Sequence, residues 1–295
     1  MSSTLNPRLN SPAPAATNDT PATEPRANRL LAALADEDLQ NWLPLLRPTL
    51  LLRGQVLPAG QAFFPTTVTV SLFASTRAGD STEVATVGSE GFVGVSLLSG
   101  IEPWREQAEV TSSGYAFALA GTTLRREFQR SGSTMELLLR YVQLHTAQTM
   151  QRAVCVHHHS IEQRLCRCLL DSLDRGRWRS TVELTHQSLA VRLGVRRETI
   201  TTCAQRLQSQ GIITYQRGVI TVDDLAALRA ISCCCYDEVR SIHDRLLPPT
   251  APALHGDPAT RPSWLAGSHL ALVTNGGRPH EQHGSAHRAT AGVEG

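Results

Sequence analysis

The sequence predicts an α+β chain. It comprises an N-terminal antiparallel β-roll (double-stranded β-helix or jelly-roll-like), one long helix, and a C-terminal winged helix-turn-helix. Three observations carry this expectation. Short apolar runs alternate with glycine breaks between Leu50 and Leu119. Apolar residues then recur three and four apart from Ser133 to His157. Finally, two helical patterns meet at Gly194 within Leu184 to Ile213.

Residues 1–27 are rich in Pro, Ala, Ser, Thr and Asn and lack apolar periodicity, so disorder is expected there. Order is expected to begin near Asn28. There Leu30, Leu31, Leu34 and Leu39 are helically spaced and Asp36 can cap a second turn. The runs LLL, VTVSLF, EVATV, AEV and YAFAL follow, divided by Gly54, Gly60, Gly79, Gly88, Gly91, Gly94, Gly100 and Gly114. Short strands with such turn chemistry build an antiparallel roll, placed at 28–131.

Leu124 and Phe128 mark a short helix. The long helix, 132–159, carries Met135, Leu138, Val142 and His145, continued by Thr149 and Val156. That stripe serves either a dimer seam or packing on its own domain. Ser160 caps a helix from Ile161 to about Leu173, whose Leu165, Leu169 and Leu173 share a face. Thr214 to Val222 reads as a hairpin wing around Arg217-Gly218, and Asp223 or Asp224 caps a last helix through about Arg240. The DNA-reading domain is thus set at 160–246, and residues 247–295, rich in Pro, Gly, Ala and His, are expected to be disordered.

Composition narrows the function. No apolar run reaches the ~18 residues of a membrane span, and no secretory signal is visible, so a soluble cytoplasmic protein is expected. Net charge is only +2, yet Ile161 to Ile220 holds ten Arg against five acidic residues. One basic module on a near-neutral body is the footprint of a nucleic-acid partner. With no Lys in the chain, every cationic side chain is the bidentate fork of Arg.

In the basic module, Thr185 suits an N-cap, Leu189, Ala190 and Leu193 face inward, and Gly194 suits a left-handed turn. Ile200 and Leu207 pin the second helix. Arg196, Arg197, Glu198, Thr201, Thr202 and Gln205 remain on its outer face. Arg pairs with guanine O6 and N7, and Glu accepts from cytosine N4, so base contacts are assigned to Arg196, Arg197, Glu198, Thr201 and Thr202. Glu198 at a helix start also fits plain dipole compensation. Thr185, Gln187, Thr199 and Arg217 suit phosphate contacts.

The pattern Thr185, Leu189, Ala190, Leu193, Gly194, Arg197, Glu198, Thr199, Ile200 resembles the reader of the Crp–Fnr family of bacterial transcription regulators. VGSEGFVGVSLLSG, Val87 to Gly100, is similar to that family's glycine-rich effector segment. The resemblance spans about residues 28–240. It implies a cyclic-nucleotide-binding-like roll as sensor, a dimerisation helix and a winged helix. It also implies a homodimer on a near-palindromic operator, with double-stranded DNA and RNA polymerase as partners and no membrane.

Departures bear on the effector. The implied pocket is Gly91, Gly94, Val95, Glu106 and Gln107. Val95 follows Gly94 where cyclic-AMP-responsive members carry Glu, and Glu106-Gln107 stands where they carry Arg-Ser. A carboxylate there repels a cyclic phosphate, so cyclic AMP is not expected. No Cys precedes Cys155, which excludes the N-terminal cluster of oxygen-sensing members. Thr202 stands where the family often has Arg, so operator specificity is expected to differ at that position.

The seven Cys are odd in number and confined to the C-terminal half, which argues against a disulfide framework. A metal or redox centre could be built from Cys155 with His157, His158 and His159, from Cys166 and Cys168, and from Cys233, Cys234 and Cys235, with Cys155, His159 and Cys235 the metal candidates. None is expected, because the spacing fits no standard zinc pattern and adjacent cysteines on one helix cannot all point one way. No P-loop, nucleophile elbow or metal-hydrolase motif is present, so no enzyme is expected. The rival function is a small-molecule-sensing module acting through protein contacts, which weak salt dependence of DNA binding would favour.

Overall fold

The computed structural model describes residues 24–79, 81–100, 106–175, 180–247 and 271–272. The roll is two sheets. One joins β1 (Arg47–Leu51), β6 (Gly114–Ala120) and β2 (Gln61–Pro65), with β1 central among the strands that include the short parallel β10 (Ala271–Leu272). The other orders β4 (Ser81–Val87), β3 (Thr69–Ser75) and β5 (Glu106–Ser112). Phe63, Val70, Leu72, Val87 and Val110 fill the space between the sheets.

A second core backs the roll with helices. Asn28 caps α1 (Arg29–Ala32) by accepting from the Leu30 and Leu31 amides, and it also donates to the Pro65 and Gly91 carbonyls. Order therefore begins before Asn28: Pro25–Ala27 form a 3-10 turn and Pro25 is buried. Asp36 is the first residue of α2 (Asp36–Trp42), not its cap, which is Ala35. Trp42, Phe64, Phe92 and Tyr141 pack in series, Trp42 edge-on to Phe64, Phe64 stacked on Phe92 and Phe92 tilted against Tyr141.

Following α3 (Gly121–Arg130), the long helix α4 runs Gly132–His158, capped by Ser131. It has two apolar faces. Leu138, Tyr141 and Leu144 are buried in the roll's helical core, so Leu138 leaves the expected seam. A separate stripe faces outward, with Met135, Leu139, Met150 and Val154 exposed.

The C-terminal module packs α5 (Ile161–Arg175), α6 (His186–Leu193), α7 (Arg197–Ser209) and α8 (Leu225–Ile231) around Leu165, Leu169, Leu189, Ile200, Leu207 and Ile220. Its sheet gains a strand the sequence did not announce: β7 (Thr181–Glu183) pairs with β9 (Val219–Val222), which pairs with β8 (Ile213–Gln216). The expected last helix is broken. Asp224 caps α8, the chain leaves helix at Ser232, and α9 begins only at Cys235. Tyr236 at the start of α9 joins the reader core, whereas Ile242, Leu246 and Leu247 at its end join the roll's core. The expected tails lie outside the described residues, apart from Glu24–Ala27, buried Leu247 and β10.

Candidate nucleic-acid interface

Local chemistry sets the geometry of the reader. Thr185 accepts from the Ser188 amide while Ser188 Oγ accepts from the Thr185 amide, which closes a capping box at α6. Gly194 ends α6 in the left-handed region (φ 64°, ψ 42°), which turns the chain into α7. Ile200, Ala204 and Leu207 bury one face of α7. Arg196, Arg197, Glu198, Thr202 and Gln205 all lie exposed on the other.

Thr201 is placed differently from the rest. It is half-buried, and its hydroxyl donates to the Arg197 carbonyl (3.1 Å) while lying 3.0 Å from His186 Nδ1. The hydroxyl proton being committed, Nδ1–H of His186 is the donor to it. His186 stacks on Tyr215 of the wing at 4.1 Å. Burial, then the nearby Arg197 charge, holds His186 below the usual histidine range, so it is neutral at pH 7. Thr201 and His186 therefore fix α7 to α6 and the wing.

The wing tip is strained. Arg217 (φ 48°) and Gly218 (φ 84°) both have positive φ in a two-residue loop between Gln216 and Val219. Gly at the second position is ordinary for this turn, whereas Arg at the first costs about 1 kcal/mol. Thr185, Gln187 and Arg217 are exposed, and Thr199 is half-buried.

The reader docks on the roll through residues the sequence reading missed. Glu83 of β4 is buried and accepts from Arg192 Nε of α6 (2.8 Å), Arg152 Nη2 of α4 (3.2 Å), Ser71 Oγ (2.7 Å) and Thr86 Oγ1 (2.9 Å). Burial pushes its carboxyl up, but Arg192, Arg152 and the two hydroxyls outweigh this and hold it below the usual range. Glu90 pairs with Arg175 at 3.1 Å close by. A cavity of about 410 Å³ opens along this seam, lined by Glu83, Arg152, Arg164, Arg167 and Arg192 among others. A signal for Glu83 was available, since it falls in phase with inward Ala85 and Val87.

The implied effector residues fall in separate places. Gly91 lies against Tyr141, and Gly94 (φ 107°) against Ala62 and Leu97. Val95 opens a 3-10 turn, Val95–Leu98. Glu106 and Gln107 are exposed at the start of β5, paired with Ala74 and Phe73 of β3 in the same sheet.

The cysteines resolve into distinct environments. Cys155, His159, Cys233 and Cys235 converge, with ligand atoms all within 4.8 Å of one another. Cys233 completes the set formed by the candidates Cys155, His159 and Cys235. The helix break at Ser232 lets it turn to the same side as Cys235, which removes the geometric objection to adjacent cysteines. Hydrogen bonding from Cys233 outweighs burial and, with His159 and Arg167, holds the Cys155 thiol well below the usual cysteine range. Burial pushes Cys166 up to about 12, as an inert core thiol requires.

An exposed basic helix start, a capped support helix and a strained wing define a winged helix-turn-helix DNA reader. Residues 163–231 match the model of the Crp-like helix-turn-helix domain. Crp/Fnr regulators share the fold across the roll, long helix and reader. One from Eubacterium rectale is 14% identical, with 70% of this chain and 98% of that one covered at a TM-score of 0.58. The c-di-GMP-responsive global regulator CLP of Xanthomonas campestris is 16% identical, covering 64% and 100% at 0.55. A Crp/Fnr-family regulator from Thermus thermophilus is 21% identical, covering 63% and 98% at 0.54. None of the curated proteins matches. Residues 163–231 are thus a Crp-like helix-turn-helix domain, on a chain that shares the fold of Crp/Fnr regulators.

Proposed function

We propose that this chain is a DNA-binding transcription regulator that works as a homodimer. Two copies of α7 would enter successive major grooves, at half-sites about one helical turn (~34 Å) apart on a near-palindrome. The observation that supports pairing is the outward stripe of α4. Leu139 is 50% and Met150 65% exposed, on the face opposite the one buried in the roll. A second copy of the same helix is the occupant such a stripe fits, because it joins two readers about one axis.

Arg196, Arg197, Glu198 and Thr202 are the base contacts of this reading, with Arg197 and Glu198 setting specificity. Thr201 positions them instead of touching bases. Thr185, Gln187, Thr199 and Arg217 hold phosphates, and the strain at Arg217 supports a tip kept for a ligand contact. RNA polymerase is a further partner, the protein works in the cytoplasm, and it catalyses no reaction. The effector is not cyclic AMP: Glu106 and Gln107 supply no cation for a cyclic phosphate.

Selection of bound sequences from random DNA tests this reading, followed by cleavage footprinting and a salt titration. The expected result is two protected segments one turn apart and an affinity falling steeply with salt. Protection of a single segment contradicts the dimer. Salt-independent binding without sequence preference favours the protein-contact module.

A further inference from the structure

We propose that Cys155, His159, Cys233 and Cys235 bind one structural zinc ion that ties the end of α4 to the start of α9. The four residues come from two distant segments. Cys155 lies in the last turn of α4, and His159 caps that helix. Cys233 sits in the break after α8, and Cys235 opens α9. Cys155 Sγ stands 3.6 Å from Cys233 Sγ, and Cys235 Sγ 3.4 Å from His159 Nδ1. A tetrahedral zinc with ~2.3 Å Zn–S and ~2.0 Å Zn–N bonds needs S···S edges of roughly 3.8 Å and S···N edges of roughly 3.6 Å. These two edges match that spacing, the remaining ones lie within 4.8 Å, and the Cys155 and Cys233 sulfurs stand far outside the ~2.05 Å of a disulfide.

Donor set and surroundings agree on the metal. Three thiolates with one imidazole select zinc over hard cations, and four protein ligands leave no open position for catalysis. Three thiolates, a neutral imidazole and Zn²⁺ sum to one negative charge. The buried Arg167 guanidinium, shared with Asp171 at 3.5 Å, lies near enough to Cys155 to offset part of it. Gln151 Nε2 also donates to Cys235 Sγ at 3.1 Å. Such outer partners orient thiolates and moderate their charge. Cys155, Cys233 and Cys235 are all buried, and the three form a cluster of their own apart from the main cores. Exposed Cys234, 3.7 Å from the other ring nitrogen of His159, lies outside the ligand set.

The site's position gives it a role. His159 and Ser160 form the joint between α4 and α5, and α9 reaches from the reader core to the roll core. A metal here locks that joint.

The test uses the full chain, reduced and stripped of metal, titrated with Co²⁺ and then Zn²⁺. Expected are one equivalent of Co²⁺ per protomer, tetrahedral ligand-field bands, and thiolate-to-cobalt charge transfer that Zn²⁺ abolishes. Cys235→Ser should lose one thiolate's share of the charge-transfer band, and Cys234→Ser should keep all of it. Gln151→Ala should keep the spectrum but bind about 10–100-fold more weakly. Zinc should also raise the unfolding temperature of the wild-type chain, a readout independent of DNA binding. Octahedral or substoichiometric cobalt in the wild type overturns the proposal. So does a Cys155–Cys233 disulfide in protein whose stability ignores zinc, or a Cys234→Ser spectrum that changes as Cys235→Ser is expected to.

Discussion

Replacing Glu83 by Ala should detach the reader from the roll or destabilise the whole chain. The carboxylate is the shared acceptor for Arg192, Arg152, Ser71 and Thr86. Without it, Arg192, whose side chain is only 8% exposed, keeps Ser71 Oγ at 3.3 Å and Ser172 Oγ at 3.4 Å but no carboxylate. Breaking a buried ion pair from one side costs ~3–5 kcal/mol. A domain is stable by only ~5–15 kcal/mol. Arg192 has one escape: if α6 lifts off β4, its guanidinium regains water. The measured loss is therefore capped by the cost of separating reader from roll. Urea unfolding of Glu83→Ala, Arg192→Met and the double variant reads the loss and its coupling, and proteolysis near Ser160 reads undocking. The double variant should be less destabilised than the sum of the singles. Acid adds a signed check. The folded pKa of Glu83 lies below 4.5, so its contribution is complete above that value and disappears as pH falls through the lower one. Glu83→Gln should lack that acid step. A Glu83→Ala chain within about 0.5 kcal/mol of wild type, equally resistant to protease and additive with Arg192→Met, would refute the reasoning.

Other substitutions probe the remaining contacts. Arg217→Gly relieves the left-handed Arg, so stability should rise by up to ~1 kcal/mol while DNA affinity and its salt slope both fall, as urea and salt titrations would show. Gly91→Ala places a Cβ about 2.2 Å from Tyr141 Oη, whose ring is locked against Phe92. The overpacking should cost ~1–3 kcal/mol in urea unfolding, and an unchanged midpoint would contradict the packing described. Leu139→Glu puts charge on the outward stripe of α4. Sedimentation should find monomers with the reader's secondary structure intact, whereas an unchanged dimer would move the interface elsewhere.

Much of this architecture was legible in the chain, and the misses share physical causes. The helix-turn-helix could be read because capping, turn and burial signals coincide within Thr185 to Leu207, each rule agreeing with the next. Strand β2 (QAFFP) escaped because it is almost wholly buried, so its sequence shows no alternation. The α4 stripe merged two faces, since one periodic pattern cannot separate a side that meets the roll from a side that meets solvent. The break at Ser232 carries no Gly or Pro, so Cys233 stood apparently on a helix with its neighbours. Glu83 was legible only by phase: a carboxylate on the inward face of β4 requires a cationic partner, and the partners lie far along the chain at Arg152 and Arg192. The same unread break at Ser232 made Cys155, His159, Cys233 and Cys235 look unable to converge, although the structure brings them together.

The central claim is that α7 reads bases through Arg197. Its most direct test is the binding of wild type and Arg197→Ala to the selected operator and to every single-base variant of it, at fixed salt. The account predicts a loss of ~1–3 kcal/mol on the operator and a flattened preference at one base pair per half-site, all other positions keeping theirs. An equal loss on every sequence, with the pattern of preferences unchanged, would contradict it and make Arg197 a phosphate contact.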